Sequence, residues 1–333
     1  MAAEAYPIGC KDNWARDTVT LQAAAEPGDI VQCHDGRAGV VIGSGGVRDL
    51  AAGDVADVYV QGEFEVDLAA NVAAVRGFEV FWDESANAAI AVPGLSVGDF
   101  FLGTFTEDKA GGTGVRAKIA LNRRLAPTWS LHGGGDQGIA DTVLETNGLA
   151  ANGVRYLPSG LKLEFDTVSE AATASLLSGA ALPVADNIMF SAIVNVETNG
   201  DASAFDLVVG LANAGHATDP DSITESVFAS INGASTTINA ESDDGTTEVA
   251  ATDTTKTFTA GTPFALWIDA RTRADIQIYI NGVLVLPNST FTLAAATGPM
   301  KALVLMEKTA NDTAAVVSVQ SMKLFRIDDQ AAA

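Results

Sequence analysis

Residues 264–285 read FALWIDARTRADIQIYINGVLV. Two apolar runs, 264–270 and 276–280, flank a polar turn, and Asn281-Gly282 joins the second run to Val283-Leu284-Val285. An Asn-Gly pair between apolar runs predicts a two-residue type I′ hairpin, because both central residues must adopt positive φ. The same grammar extends outward in both directions. Apolar, β-branched runs recur at 188–196, 204–210, 227–231, 236–240, 301–308 and 316–328. Gly160 to Asp166 alternates strictly, placing Leu161, Leu163 and Phe165 on one face of a strand. These runs predict an antiparallel β-sandwich over residues 154–333.

The first 124 residues carry a different rhythm of short strands separated by Gly-Asp turns. Pro27-Gly28-Asp29 leads into Ile30-Val31-Gln32-Cys33, Ala52-Gly53-Asp54 into Val58-Tyr59-Val60, and Val97-Gly98-Asp99 into Phe100-Phe101-Leu102. The block closes on Val115 to Asn122, which alternates as a half-buried strand does. That spacing predicts a small barrel-like or sandwich domain over residues 1–124. Its mixed opening, residues 1–20, reads as an extended arm. After Asn122-Arg123-Arg124 the alternation stops and Pro127 follows, so residues 125–153, with their Gly133-Gly134-Gly135 run, read as a linker. The chain as a whole is all-β in two domains.

At 333 residues, with 47% hydrophobic and 18% charged residues, the chain can bury two cores. Its net charge is −23. No Lys or Arg occurs between Lys162 and Lys256, a stretch holding fifteen Asp or Glu. Such a surface repels phosphate backbones and argues against direct nucleic-acid binding. No apolar run approaches the length of a membrane span. The N-terminus lacks the basic and apolar regions of a signal peptide, so cytoplasmic synthesis is expected. Cys10 and Cys33 do not make a disulfide framework and read as free thiols.

The succession of strands in residues 1–124 resembles the bacteriophage capsid cement, or head decoration, family. The residues that carry it are GDIV (28–31), GVV (39–41), VYVQGEFEV (58–66), VFWD (80–83), GDFFLGTF (98–105) and VRAKIALN (115–122). The resemblance implies a structural virion protein on the capsid exterior, with the major capsid protein as partner, a homotrimeric assembly, and the 1–20 arm as a contact with the coat. The segment from Val154 onward, above all 264–285 and VSVQSMKLFRID (317–328), resembles the laminin-G-like and legume-lectin-like jelly rolls. That resemblance implies two packed antiparallel sheets and makes glycans the alternative partner.

Motifs for chemistry are scarce. His34, His132 and His216 lie far apart and form no metal-ligand spacing, and no nucleotide-binding glycine pattern occurs. Glu164, Asp166 and Glu170 share the strand face opposite Leu161, Leu163 and Phe165. Their spacing departs from that of glycosidase carboxylates, and the chain is expected not to be an enzyme. Two acidic turns offer oxygen ligands of the kind calcium takes: Asp219 with Asp221, and Asp243 with Asp244. No other cofactor is expected. A sugar platform would need an exposed aromatic, whereas Trp267 and Tyr279 fall in strands that read as core.

Overall fold

The computed structural model describes residues 4–8, 14–43, 49–93, 98–132, 135–136, 141–145, 153–157, 160–201, 205–216 and 219–327. Cys10 and Gly133-Gly134 lie outside them. The chain divides into two compact units, one comprising Met1–Leu125 and Asn281–Val283 and one comprising Ala126–Ile280 and Leu284–Ala333.

The first unit opens with β1 (Ala5–Ile8), β2 (Arg16–Thr20), β3 (Ile30–Gln32), β4 (Ala38–Gly43) and β5 (Val55–Tyr59). It continues with β6 (Glu63–Asp67), β7 (Glu79–Asp83), β8 (Ala88–Ile90), β9 (Phe100–Phe105) and β10 (Arg116–Leu121). They form a six-stranded sheet in the order β1-β6-β10-β9-β7-β8 and a four-stranded sheet in the order β2-β5-β4-β3. Neither sheet closes into a barrel among the described residues. Alternation decides which side chains are buried. In β6 and β10, Phe64 pairs with Ile119 and Val66 with Ala117, and all four are fully buried. A second cluster, including Val19, Val41, Val58 and Leu50, is the core of the smaller sheet.

Two of the Gly-Asp turns share one construction. Gly28 and Gly53 take φ of 100° and 91°, which only glycine adopts cheaply. The following aspartate closes the turn through its side chain, Asp29 accepting from Glu26 N at 2.7 Å and Asp54 from Ala51 N at 2.8 Å. These aspartates serve the turns. Cys33 is a free, buried thiol, which burial pushes up from its ordinary pKa.

Within 1–20, the described residues are part of the sheets and not a free arm. β1 adds to the edge of β6, with Ala5 opposite Val66, and β2 adds to β5. Ala5 N donates to Gly28 O, and Glu4 accepts from Ile30 N. Arg116 lies over the Tyr6 ring, 4.2 Å from its centroid. Few apolar positions suffice because these strands bury only one side chain each, Ala5 and Val19.

The second unit begins with β11 (Trp129–His132), β12 (Gly135–Asp136), β13 (Thr142–Glu145), β14 (Gly153–Leu157), β15 (Gly160–Phe165) and β16 (Glu170–Leu177). It continues with β17 (Ile188–Thr198), β18 (Phe205–Ala212), β19 (Glu225–Asn232), β20 (Thr237–Asp244) and β21 (Glu248–Thr257). The last are β22 (Phe264–Ala270), β23 (Gln277–Ile280), β24 (Val283–Val285), β25 (Lys301–Asn311) and β26 (Ala315–Arg326). A nine-stranded sheet runs β12-β11-β26-β17-β22-β23-β24, with β15 also on β26 and β14 on β15. A seven-stranded sheet runs β13-β16-β25-β18-β19-β20-β21. One continuous core joins them, from Leu161, Leu163, Phe165, Phe190 and Leu324 on the first to Leu207, Val209, Val227 and Met306 on the second. Asn281 and Gly282 take φ of 51° and 75°, as a type I′ hairpin requires.

The stretch expected to be a linker, 125–153, contributes strands to this sandwich. β11 pairs with β26, Trp129 opposite Leu324, and β13 pairs with β16. Trp129 and Leu131 enter the core while Ser130 lies between them. Two apolar positions beside a glycine run are too short a signal to read as alternation.

Among the described residues, Lys308 is the least exposed charged side chain, at 1%. Its Nζ donates to Asp166 O at 3.0 Å and Val168 O at 2.8 Å, stands 3.7 Å from Asp166 Oδ1, and lies over the Phe165 ring. It ties the turn between β15 and β16 to β25. Lys308→Ala is expected to destabilise the sandwich by roughly 3 kcal/mol, combining lost charge-assisted hydrogen bonds with a cavity. Denaturant unfolding of the full chain measures it, and an unchanged midpoint would contradict the clamp.

Candidate functional site

Two places in the molecule gather polar side chains: a cleft in the first unit and one face of the second. The cleft begins at Asn122, the residue after β10. Its φ is 57°, a left-handed conformation that asparagine tolerates better than most residues. Its side-chain Oδ1 accepts from Ala38 N at 2.8 Å. Its Nδ2 donates to Ala38 O at 2.7 Å and Val60 O at 2.9 Å. One carboxamide thus binds the end of the six-stranded sheet to the four-stranded one. Beside it lies a cleft of about 580 Å³ whose walls include Arg37, Gln61, Glu63, Thr106 and Arg123. Gly62 forms part of the wall, and a Cβ there would stand 2.5 Å from the Trp14 ring. Trp14 in turn packs on Tyr59 and Phe64.

The polar groups of the cleft are unequally satisfied. Arg37 is held by Asp35 at 2.5 Å and Asp17 at 2.6 Å. Arg123 is exposed, and its guanidinium has no hydrogen bond or ion pair among the described residues. Thr106 Oγ1 is buried without a hydrogen-bond partner.

The second place is the outer face of the seven-stranded sheet. Leu207, Val209 and Leu211 of β18 enter the core, so Asp206 and Val208 point the other way. Asp206 stands opposite Glu307 of β25, and Phe228 of β19 opposite Glu241 of β20. An apolar cluster of Leu177, Val208, Phe228, Leu303 and Leu305 shares this face, and Ile223 packs into it. Ile223 follows a short 3-10 turn, Pro220–Ser222, that carries Asp221 and is capped by Asp219. Five carboxylates therefore gather: Asp206, Asp219, Asp221, Glu241 and Glu307. None forms an ion pair among the described residues. Burial first, then the Asp221 charge, with further help from Asp206 and Glu248, pushes the Glu241 carboxyl up to about 7 against the opposing Ser230 hydroxyl. Burial and then Asp206, Asp219 and Asp221 push Glu307 to about 7.

The four calcium candidates are thereby located. Asp219 and Asp221 share one turn, where Asp219 accepts from Asp221 N and Ser222 Oγ and donates its own N–H to His216 Nδ1. Asp243 and Asp244 are successive strand residues on opposite faces. Asp243 accepts from Gly245 N. Asp244 is buried, accepting from Thr246 N, Thr247 N and Ala295 N, and these bonds hold its pKa below the ordinary range despite burial. Among the described residues no three His, Cys, Asp or Glu are grouped as metal ligands. Glu164 pairs with Arg155 at 3.1 Å, and Asp166 belongs to the Lys308 clamp. Trp267 and Tyr279 are 3% and 5% exposed, with the Tyr279 hydroxyl donating to Gln277 Oε1, so they offer no sugar platform. Asp206, Glu241 and Glu307 were missed from sequence, although each is an acid at an outward strand position and the first two fall inside the Lys- and Arg-free stretch.

Comparison with known proteins matches residues 11–121 to a family model described as phage cement protein. No curated protein sequence matches the chain. Among solved structures it is similar to the carbohydrate-binding module CBM66 from Bacillus subtilis, at 11% identity over 59% of this chain and 96% of that one, with a TM-score of 0.37. It is also similar to the Emp47p carbohydrate recognition domain, at 11% identity over 60% and 95%, with a TM-score of 0.40. A third is a glycoside hydrolase family 16 endo-glucanase from Bacteroides ovatus, at 8% identity over 58% and 97%, with a TM-score of 0.41. These scores are low and carry no functional argument; the sandwich assignment stands on the strand pairings themselves.

Proposed function

We propose that this chain, whose residues 11–121 match the phage cement family, is a head decoration protein that docks on the outer surface of a phage capsid through its first unit. The second unit, an acidic β-sandwich, is its display module. The match over 11–121 carries this reading. The physics is that of repeated modest contacts: binding at many equivalent lattice positions, and as a homotrimer, multiplies weak interfaces through high effective concentration. The sandwich's carboxylates keep a densely decorated surface soluble and oppose its association with nucleic acid.

Co-sedimentation of the full chain with purified heads lacking their decoration tests the reading. Saturable binding at a constant ratio to coat subunits is expected, and absence of binding at both low and high salt would overturn it. Light scattering on the free protein checks the trimer.

A further inference from the structure

We propose that the segment 219–224 is a lid on the outer face of the seven-stranded sheet, closed while the carboxylates beneath it hold their protons and lifted when they ionise. Ile223 seats the lid. It is 4% exposed, and in the outer apolar cluster it alone comes from outside the strands. Its partners there, among them Leu177, Val208, Phe228, Leu303 and Leu305, belong to β16, β18, β19 and β25. Hydrogen bonds do not fasten the segment to that face. Asp219 accepts from Asp221 N and Ser222 Oγ, and Ile223 N donates to Pro220 O, all within the turn. Its outward bonds run to chain neighbours: Asp219 N donates to His216 Nδ1, and Ser226 Oγ donates to Ile223 O. Among the described residues none runs to β16, β18, β20 or β25. One buried side chain is a weak latch, within reach of a change in charge.

Charge decides whether the latch holds. Asp206 stands opposite Glu307, and Glu241 stands opposite Phe228 at the rim of the apolar cluster. Asp206, Asp221 and Glu248 act on Glu241, and Asp206, Asp219 and Asp221 act on Glu307. Their uncharged neighbours are Ser230 of β19, beside Glu241, and Thr173 of β16, opposite Glu307. Asp243, next on the same face of β20, accepts from Gly245 N. β16, β18, β19 and β20 carry no lysine or arginine. On β25, Lys308 is held at Asp166, and Lys301 lies opposite Ala212 at the other end of the face. On β21, Lys256 lies opposite Ile238. Closed, the lid keeps water from Glu241 and Glu307 and adds two like charges, which favours their protonated forms. Lifted, it admits water and takes those charges away. The closed form thus holds protons more tightly than the open one, and its share falls as pH rises toward about 7.

Hydrogen exchange of the full chain at pH 5 and pH 8, corrected for the intrinsic pH dependence of exchange, reads the lid at the Ile223 amide. A single helical turn has no stability of its own once undocked, so lifting the lid exposes that amide. Its protection is expected to fall at least about tenfold between the two pH values. Asp221→Asn removes one charge at an exposed carboxylate that accepts no hydrogen bond among the described residues, and should confine the fall to about threefold. Asp275→Asn, the same change at an exposed acid outside the cluster, should leave the fall as in wild type. Ile223→Ala should remove the protection of the segment at both pH values. Equal protection of Ile223 at pH 5 and pH 8 would overturn the lid. So would an equal fall across β19, which would mean that the sheet opens as a whole, or an equal rescue by Asp275→Asn, which would point to the net charge of the chain.

Discussion

Raising the pH from about 5 to about 8 is expected to loosen the second unit, most at β20 and β25. Glu241 and Glu307 hold their protons up to about 7 in the folded chain, against 4.5 for an unperturbed glutamate. Between those values the folded state binds more protons than the unfolded one, so stability falls as pH rises. The contribution is complete below about pH 4.5, is lost progressively toward pH 7, and is level beyond. For the mostly buried Glu241 the full loss is on the order of 3 kcal/mol. Glu307 is more open to solvent and adds less, because water screens its neighbours. Acids held low, such as Asp244 and Glu225, act in the opposite sense at more acidic pH. Hydrogen exchange at β20 measures the effect, and Glu241→Gln should flatten the profile by removing the charge while keeping the shape. Equal protection in β20 at both pH values would contradict it.

Asn122→Ala is expected to be the most damaging single change in the first unit. It removes three hydrogen bonds to Ala38 and Val60 and leaves their backbone groups without partners, at roughly 1 kcal/mol each. Alanine at the positive φ of this position costs about 1 kcal/mol more. The sum is about 3–4 kcal/mol, and Asn122→Gly should recover about 1 kcal/mol by relieving the backbone alone. Calorimetry of the full chain checks both. Equal effects for Ala and Gly would show that the backbone term is absent.

The fold was legible where the sequence repeats a simple device. Alternation in 160–166 named the buried face of β15 correctly, down to Leu161, Leu163 and Phe165. Asn281-Gly282 announced its hairpin because positive φ at two successive residues leaves few alternatives. The ends of the domains were not legible. β1, β2 and β11 are short strands with one or two inward side chains, and each is held mainly by backbone pairing that any sequence can supply. The acid cluster was hidden for a different reason. Asp206, Glu241 and Glu307 stand on separate strands, and only the pairing of β25, β18, β19 and β20 makes them neighbours. Asn122 announced a boundary in the sequence, whereas its hydrogen bonds across 84 and 62 residues depend on the tertiary fold.

The position of β26 has a consequence for how the chain is made. It is the hub of the nine-stranded sheet, pairing with β11, β15 and β17, and it follows every other strand of the sandwich. All ten strands of the first unit, by contrast, precede residue 125. During synthesis the first unit can therefore complete its sheets while the sandwich still waits for its central strand. Until Ala315–Arg326 leaves the ribosome, β11, β15 and β17 each present an unpaired edge to the cell. A nascent chain stalled just short of Ala315 would thus be the form most in need of a chaperone.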